Sequence, residues 1–387
     1  VSAPGIPAAR FGQRLDRARA ATSAAGLDAL LLGVGADLRY LTGYAAMPSE
    51  RLTMLVVPSG GPVRLIVPRL EVMPARASTA VEAGLVEVVP WEETEDPIRS
   101  VVRAARGDAA GGPLRLAVGD RLWAAFTLPL QAVLPDASLV LASTVMRDLR
   151  IAKDEDEIRL LQAAASAADR VVVAVSHGRL VGRTELDVSR EIRDLLIDEG
   201  HDDADFAIVA VGEDSASPHH EPGDRVIAAG EPIVLDLGGP LGGYGSDITR
   251  TIWVDGGDPS RGPDATFRRI HSLVLEAHDR AIAAVRPGIS CETLDAVARE
   301  VISAGGHGER FIHRTGHGIG LEGHEPPYLV AGDRTPLEPG MAFSVEPGIY
   351  LEGRYGVRIE DIVVCAAGGP IVLDGAPREL LVVDGRG

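Results

Sequence analysis

Five residues of this sequence combine reactive side chains with neighbours that could position them: Asp236, Asp247, His317, Glu346 and Glu360. Asp236 ends the apolar run Pro232-Ile-Val-Leu-Asp236, and Asp247 opens Ser246-Asp-Ile-Thr-Arg-Thr251. His317 lies in His313-Arg-Thr-Gly-His317-Gly-Ile-Gly320. Glu346 lies in Phe343-Ser-Val-Glu346-Pro-Gly-Ile-Tyr350, and Glu360 in Gly356-Val-Arg-Ile-Glu360-Asp361. Alone, an Asp at a strand end is an ordinary solvated cap or turn residue. Together, four carboxylates and one imidazole are too much negative charge to share a pocket unpaired, because buried charge must be paired or coordinate metal. A pair of divalent cations is the natural counter-charge, and two-metal sites activate water for hydrolysis. Oxygen ligands with one imidazole favour Mn2+, Co2+, Fe2+ or Zn2+ over thiolate-seeking metals. Mg2+ retains its waters and suits an all-protein cage poorly. No His-Glu-x-x-His occurs, which excludes a helix-borne mononuclear zinc protease.

The elements that must position these residues can be read from periodicity. Strand side chains alternate faces. Val234 and Asp236 therefore share a face of a strand over 232–237, and Asp247, Thr249 and Thr251 share one over 247–253. Arg358 and Glu360 share a face of a strand over 357–364. The glycine-rich turn over 238–245 folds the first two strands back on each other, so Asp236 and Asp247 reach neighbouring strands although eleven positions apart. Asp154 and Glu157 have the form of a capping box and start a helix. A second helix covers 184–199, with Thr184 as N-cap and Gly200 past its end. Others run over 267–285, stopping at Pro287-Gly288, and from Ser290 to Gly305-Gly306. Helices outside and a carboxylate-lined sheet inside is the implied arrangement. Upstream, a helix through Phe11, Leu15, Ala18 and Ala21 is stopped by Gly26 and followed by a strand over 27–32. Apolar runs at 52–57, 63–67, 85–89 and 114–118 add further strands. The break before Lys153 divides a small α/β domain over 1–150 from a larger domain over 151–387.

With 387 residues the chain is long enough for two domains. A net charge of −18 argues against nucleic-acid and anionic-membrane partners. The two cysteines, Cys291 and Cys365, lack Cys-x-x-Cys spacing and read as small apolar fillers. No apolar stretch approaches a membrane span, and residues 1–10 show no basic and apolar leader pattern, so a cytoplasmic protein is expected. Lys153 is the only lysine. His177, His201, His271, His278 and His307 fall on or near the expected helices and read as surface residues. The acidic run over 154–157 reads as a solvated helix start.

In this order the five motifs resemble the pita-bread metallopeptidases: Xaa-Pro dipeptidases (prolidases), aminopeptidases P, methionine aminopeptidases and the metal-free creatinases. Ala25-Gly-Leu-Asp-Ala-Leu30 and Arg39-Tyr-Leu-Thr-Gly-Tyr44 resemble the creatinase-like N-terminal domain of the prolidase and aminopeptidase P branch. Ala376-Pro-Arg-Glu-Leu-Leu-Val-Val383 fits the same branch, and the resemblance is nearest to actinobacterial Xaa-Pro dipeptidases. It implies an α/β (α+β) protein: a creatinase-like domain, then a pita-bread domain whose curved, mostly antiparallel sheet is covered by helices. It also implies two divalent metal ions, Mn2+ first, with Co2+, Zn2+ or Fe2+ as alternatives. Asp236 would chelate one ion, Asp247 and Glu360 would bridge both, and His317 and Glu346 would bind the other. A bridging hydroxide would attack the Xaa-Pro bond of a dipeptide or short peptide, with Glu346 as proton shuttle. His219 in Ser217-Pro-His219-His220 and His324, seven positions after His317, would hold substrate and stabilise the oxyanion. Arg358 and Tyr350 would orient the ligands, with a direct catalytic part for Arg358 and an ion pair with Asp361 both open. His313 would help form the proline pocket. A homodimer is the implied assembly.

Three matters stay open at this stage. The substrate could be a dipeptide, whose carboxylate needs a cation, and Arg334 is the nearest candidate, slightly displaced. It could be a longer peptide with proline second, as for aminopeptidase P, or another ester, phosphoester or dipeptide bond. A non-catalytic binding protein on the same scaffold would be expected to lose a ligand, and none is lost here.

Overall fold

A computed structural model describes residues 5–107 and 112–387; residues 1–4, part of the segment read for a leader, lie outside them. Ile6–Arg150 and Ile151–Gly387 are two compact units. In the first, six strands form one mixed sheet: β1 (Ala29–Gly33), β2 (Met54–Pro58), β3 (Arg64–Pro68), β4 (Glu87–Trp91), β5 (Arg115–Val118) and β6 (Ser138–Leu141), in the order β4-β3-β2-β1-β5-β6. The strands expected from apolar runs are present, each starting one or two residues later than the run. Their first residues, such as Leu27 and Leu52, are buried without yet joining the ladder. The helix Ala8–Ala24 buries Phe11, Leu15 and Ala18, as its spacing requires. Arg14 is also buried, with its guanidinium 4.2 Å from the Tyr40 ring centroid and Nη1 donating to the Tyr40 carbonyl.

The second unit carries the candidate residues. Its first sheet orders as β19-β11-β8-β7, from β7 (Phe206–Val211), β8 (Glu231–Gly238), β11 (Ile248–Val254) and β19 (Val382–Val383). The turn between β8 and β11 holds a two-residue ladder of β9 (Pro240–Leu241) and β10 (Tyr244–Gly245). A second sheet orders as β13-β12-β14-β17-β18, from β12 (Gly316–Gly318), β13 (Glu325–Leu329), β14 (Ala342–Val345), β17 (Asp361–Ala366) and β18 (Gly369–Val372). β15 (Gly348–Leu351) and β16 (Tyr355–Arg358) form a separate hairpin. All pairings except β11 with β19 are antiparallel.

The helices of this unit begin where capping chemistry puts them. Asp154 accepts hydrogen bonds from the amides of Asp156 and Glu157, at 2.9 and 3.0 Å, and the Asp154 amide in turn donates to Glu157 Oε2 at 3.0 Å. This box starts the helix Glu155–Ser176. Thr184 and Asp187 make a second box for Glu185–Asp198. Asp264 and Ser290 cap Ala265–Ala284 and Cys291–Ala304. Such caps each contribute about 1 kcal/mol. Phe267 packs edge-on against Trp253 and Tyr355, with centroids 4.8 and 5.1 Å apart, linking one helix to two strands. Both cysteines are buried.

Several polar groups lie deeper than the sequence suggested. Lys153 is 5% exposed; its ammonium meets Glu325 at 2.8 Å and its backbone amide donates to the Gly340 carbonyl at 2.8 Å. His201, His271 and His278, expected at the surface, are buried. Each lies on the inner face of its helix or at its packed end, a distinction that sequence proximity to a helix does not make. His201 bonds Ser246 at 2.9 Å, beside Asp247.

Arg250 ties several segments of the second unit together. Nε donates to the Pro377 carbonyl, Nη1 to the carbonyls of Thr249 and Glu360, and Nη2 to Asp361 Oδ1 and the Ala376 carbonyl, all at 2.7–2.9 Å. All five N–H donors of a guanidinium are thus used. Burial alone would raise the Asp361 carboxyl, but His278, Arg250 and Arg378 around it hold it well below the usual carboxylate range. Arg250→Met would leave that carboxylate short of a partner in a dry interior. We expect it to cost about 3–5 kcal/mol, read as a lowered urea midpoint of this unit. An unchanged midpoint would refute the importance of the tie.

Candidate metal centre

The pairing of β8 with β11 sets Thr249 opposite Asp236 and Ile248 opposite Leu237. Asp247 stands just before β11, so both acids come to one end of the pair as expected. This close turn depends on Gly238: a Cβ there would lie 2.1 Å from the Ser246 carbonyl oxygen. The expected single strand over 357–364 is instead broken. β16 ends at Arg358, β17 starts at Asp361, and Glu360 between them bridges to Thr249. The break carries the chain from one sheet to the next, and Arg358 and Glu360 still converge. Both meet Thr249 Oγ1, which donates to Glu360 Oε2 at 2.7 Å and accepts from Arg358 Nε at 3.2 Å.

His317 is in β12, which is squeezed between β13 and β14. Gly316 permits this, since a Cβ would sit 1.8 Å from the Ser344 carbonyl oxygen. The His317 amide donates to Ser344 Oγ at 3.1 Å, and that hydroxyl donates to Glu346 Oε1 at 3.3 Å. Glu346 follows β14, and its amide is bonded to the Thr315 carbonyl at 2.8 Å.

Asp247, His317 and Glu360 form a buried group whose ligand atoms all lie within 4.8 Å of one another. Glu346 stands beside it, 3.5 Å from His317 Nε2, at the same distance as Asp247 Oδ2. Asp236 is drawn to Arg358 Nη2 by an ion pair at 2.5 Å through Oδ2, while its Oδ1 is buried without a hydrogen-bond partner. Arg358 thus pairs with Asp236, a candidate ligand, while Asp361 is held by Arg250, Arg378 and His278.

Proton positions follow from the hydrogen bonds. Burial, then His324, pushes the His317 imidazole down to about 3, so it is neutral. Its Nδ1 faces the Gly318 carbonyl at 3.2 Å, which assigns the proton there and leaves an Nε2 lone pair aimed at two carboxylates. A lone pair facing carboxylate oxygens is repulsive unless a proton or a cation stands between them. Burial raises Asp247 and Glu360 well above the usual carboxylate range, and the neighbouring acids add to it. Burial also pushes Glu346 up to about 7, against the pull of Arg358. The orphaned Asp236 Oδ1, the His317 lone pair and the proton-hungry acids all fit divalent cations, which Asp236, Asp247, His317, Glu346 and Glu360 could hold.

The surrounding residues make a second layer of contacts. Tyr350 accepts from Arg358 Nη1 at 2.9 Å, so its hydroxyl proton goes to His313 Nε2 at 2.8 Å. His313 Nδ1 then donates to the Arg314 carbonyl at 2.8 Å. Burial lowers His313 to about 4 and raises Tyr350 to about 12, consistent with this neutral chain. The His324 ring centroid is 3.9 Å from that of His317. His219 is exposed, and it is near enough to His313 and His324 to contribute to the lowering of both.

Two parts of this arrangement escaped the sequence reading. Thr249 was visible on the right face, but its joining of Arg358 to Glu360 depends on the chain break. Glu185 is buried and accepts from the amides of Val211 and Gly223, at 2.9 and 3.1 Å, and pairs with His220 at 2.7 Å. It therefore staples both ends of the segment that carries His219. Glu185, Asp214 and His220 could nominally hold a metal. However, Glu185 is already committed to those bonds and Asp214 to Arg225 at 3.1 Å. Arg334 is corrected: its side chain is 87% exposed and lies 3.6 Å from Glu292 at the start of a helix. The loop after β13 carries it outward.

Comparison with known proteins agrees with the fold. Residues 159–367 match metallopeptidase family M24, and residues 14–152 match the creatinase/prolidase N-terminal domain. A probable dipeptidase PepE of Mycobacterium tuberculosis is 44% identical over 377 residues, 96% of each chain. The Xaa-Pro dipeptidase of Pyrococcus furiosus is 41% identical over 238 residues, 61% of this chain and 67% of that one. The crystal structure of dipeptidase PepE from Mycobacterium ulcerans matches with TM-score 0.90 at 41% identity, covering 98% of this chain and 99% of that one. Recombinant prolidase from Thermococcus sibiricus matches with TM-score 0.88 at 35% identity, covering 96% and 99%. No helix among the described residues is long and apolar enough to cross a membrane.

The raised carboxyls give a pH dependence with a definite sign. Glu346 moves from 4.5 to about 7, and Asp247 and Glu360 move the same way. The metal-free folded protein therefore keeps protons that the unfolded chain releases, so its stability falls as pH rises from about 4.5 through about 7. Divalent cations held there would replace those protons and remove this loss. Thermal melts of chelator-treated protein at pH 5 and pH 8, with and without Mn2+, would show it. A metal-free protein no less stable at the higher pH would contradict it.

Proposed function

This chain belongs to metallopeptidase family M24, and we propose that it hydrolyses the Xaa-Pro bond of dipeptides or short peptides at a two-metal centre. Asp236 would hold one cation, Asp247 and Glu360 would bridge both, and His317 and Glu346 would hold the other. Mn2+ is the first choice on ligand chemistry, with Co2+, Zn2+ or Fe2+ served by the same donors. When bound, such cations polarise the scissile carbonyl and lower the pKa of water towards neutrality.

The chain's own residues do the rest. Glu346 receives the proton of the attacking water and passes it to the imide nitrogen, which needs a proton before proline can leave. His219 and His324 donate to the oxygen where negative charge develops. Arg358 holds Asp236 and Tyr350, and Tyr350 holds His313, so one guanidinium orients a ligand and the pocket wall together. An Xaa-Pro bond has no N–H to offer a peptidase. A site that acts on its carbonyl does not depend on that missing contact.

The observation that carries this reading is the neutral His317 lone pair directed at Asp247 and Glu346. The names of the dipeptidase and prolidase relatives support the choice of bond. The test is metal-reconstituted protein offered Xaa-Pro peptides of two to five residues beside non-proline controls. Hydrolysis confined to non-proline peptides would end the Xaa-Pro reading. Asp247→Ala and Glu360→Ala should each abolish turnover and empty both metal positions, as measured by elemental analysis. Retained activity in either would contradict the bridging assignment. His219→Ala should keep its metal and lose about 10²–10³ in kcat; a parallel loss of metal would mean the residue is a ligand.

A further inference from the structure

In a dipeptide the terminal carboxylate lies one residue, about 3.8 Å in Cα spacing, beyond the bond that breaks. A cation that holds it must stand beside the metal ligands. Arg334 cannot, since it lies exposed near Glu292. Arg358 already spends Nε, Nη1 and Nη2 on Thr249, Tyr350 and Asp236. Arg299 is paired with Asp295 at 2.9 Å and Arg354 with Asp264 at 3.4 Å.

Arg314 is different. It lies between His313, whose Nδ1 is 4.0 Å from Glu346, and the strand of His317. Its guanidinium packs 4.6 Å from the centroid of Tyr328, and Tyr328 is the cross-strand partner of His317. Directly opposed residues of an antiparallel pair share a face, so the cation rests on the same side of the sheet as the His317 imidazole. Among the described residues no carboxylate, carbonyl or hydroxyl is hydrogen-bonded to that guanidinium, and it makes no ion pair. Its charge is nevertheless felt at Glu346, His317 and His324. An aromatic face fixes the plane of a guanidinium while leaving its N–H edge free for a planar anion.

The geometry points to Arg314 as the residue that recognises the free C-terminal carboxylate of a dipeptide substrate, with Tyr328 as the platform that orients it. This rests on the peptidase reading above and makes the substrate class narrower: a dipeptide with a free acid, rather than a longer peptide continuing past that point.

The decisive experiment pairs an enzyme change with a substrate change. Metal-loaded wild type and Arg314→Gln are each given an Xaa-Pro dipeptide and its C-terminal amide. Wild type should favour the acid. Arg314→Gln should lose about tenfold or more on the acid, mainly in KM, as expected for a lost charge-assisted hydrogen bond, and change little on the amide. Arg314→Lys should recover part of the loss. Metal content, measured separately, should stay the same in all three proteins. Equal losses on acid and amide, or a wild type indifferent to the amide, would overturn the assignment. If Xaa-Pro peptides are not cleaved but another dipeptide is, the Xaa-Pro reading fails and the same acid–amide comparison on that dipeptide still decides the role of Arg314. If no dipeptide is cleaved by the metal-loaded protein, this assignment falls too.

Discussion

Mutual repulsion among buried carboxylates is the constraint around which the second unit is built. Asp236, Asp247 and Glu360 are all at least nine-tenths buried, with Glu346 beside them. No single element supplies them. β8, the start of β11, the turn after β14 and the junction of β16 with β17 each deliver one. An interior of low polarity makes such charges interact strongly, so the fold must force them together and hold them there. Arg358 meets part of the demand, since burial would lower its pKa but Tyr350, Asp236 and Glu360 hold it well above its ordinary value. One guanidinium against four acids is not enough, and the remainder is what divalent cations would answer.

The force that keeps the acids in place comes from behind. Arg250 grips the carbonyl of Glu360 and the side chain of Asp361 while also bonding the carbonyls of Ala376 and Pro377. Thr249 reaches forward to Glu360 from the next position in the chain. Alternation along β11 therefore divides the labour: one side chain faces the acids, and its neighbour faces the scaffold. Histidine follows the same division. His317 and His324 face the acids, while buried His278 lies 3.1 Å from Asp361 behind them.

Much of this was legible in the sequence because it depends on local rules. The Asp154 box, the Ser290 cap and the hairpin joining Asp236 to Asp247 follow from side-chain reach and turn chemistry. The motif order carried the family. What could not be read was set by long-range packing. Glu360 was placed inside a strand because nothing local marks the step from one sheet to another. His201, His271 and His278 were placed at the surface because a helix face is chosen by its neighbours. Arg334 was chosen on position along the chain, yet the loop after β13 turns it away to the surface.

Lys153 has a practical implication. The ammonium is sealed against Glu325, the residue after His324, and no other lysine exists in the sequence. Arginine therefore supplies the permanently cationic side chains of the exterior. Acylating or cross-linking reagents that seek lysine find none at the surface. Any modification of Lys153 would report an opening of the interior beside His324, giving a chemical probe of breathing at that spot without an introduced label.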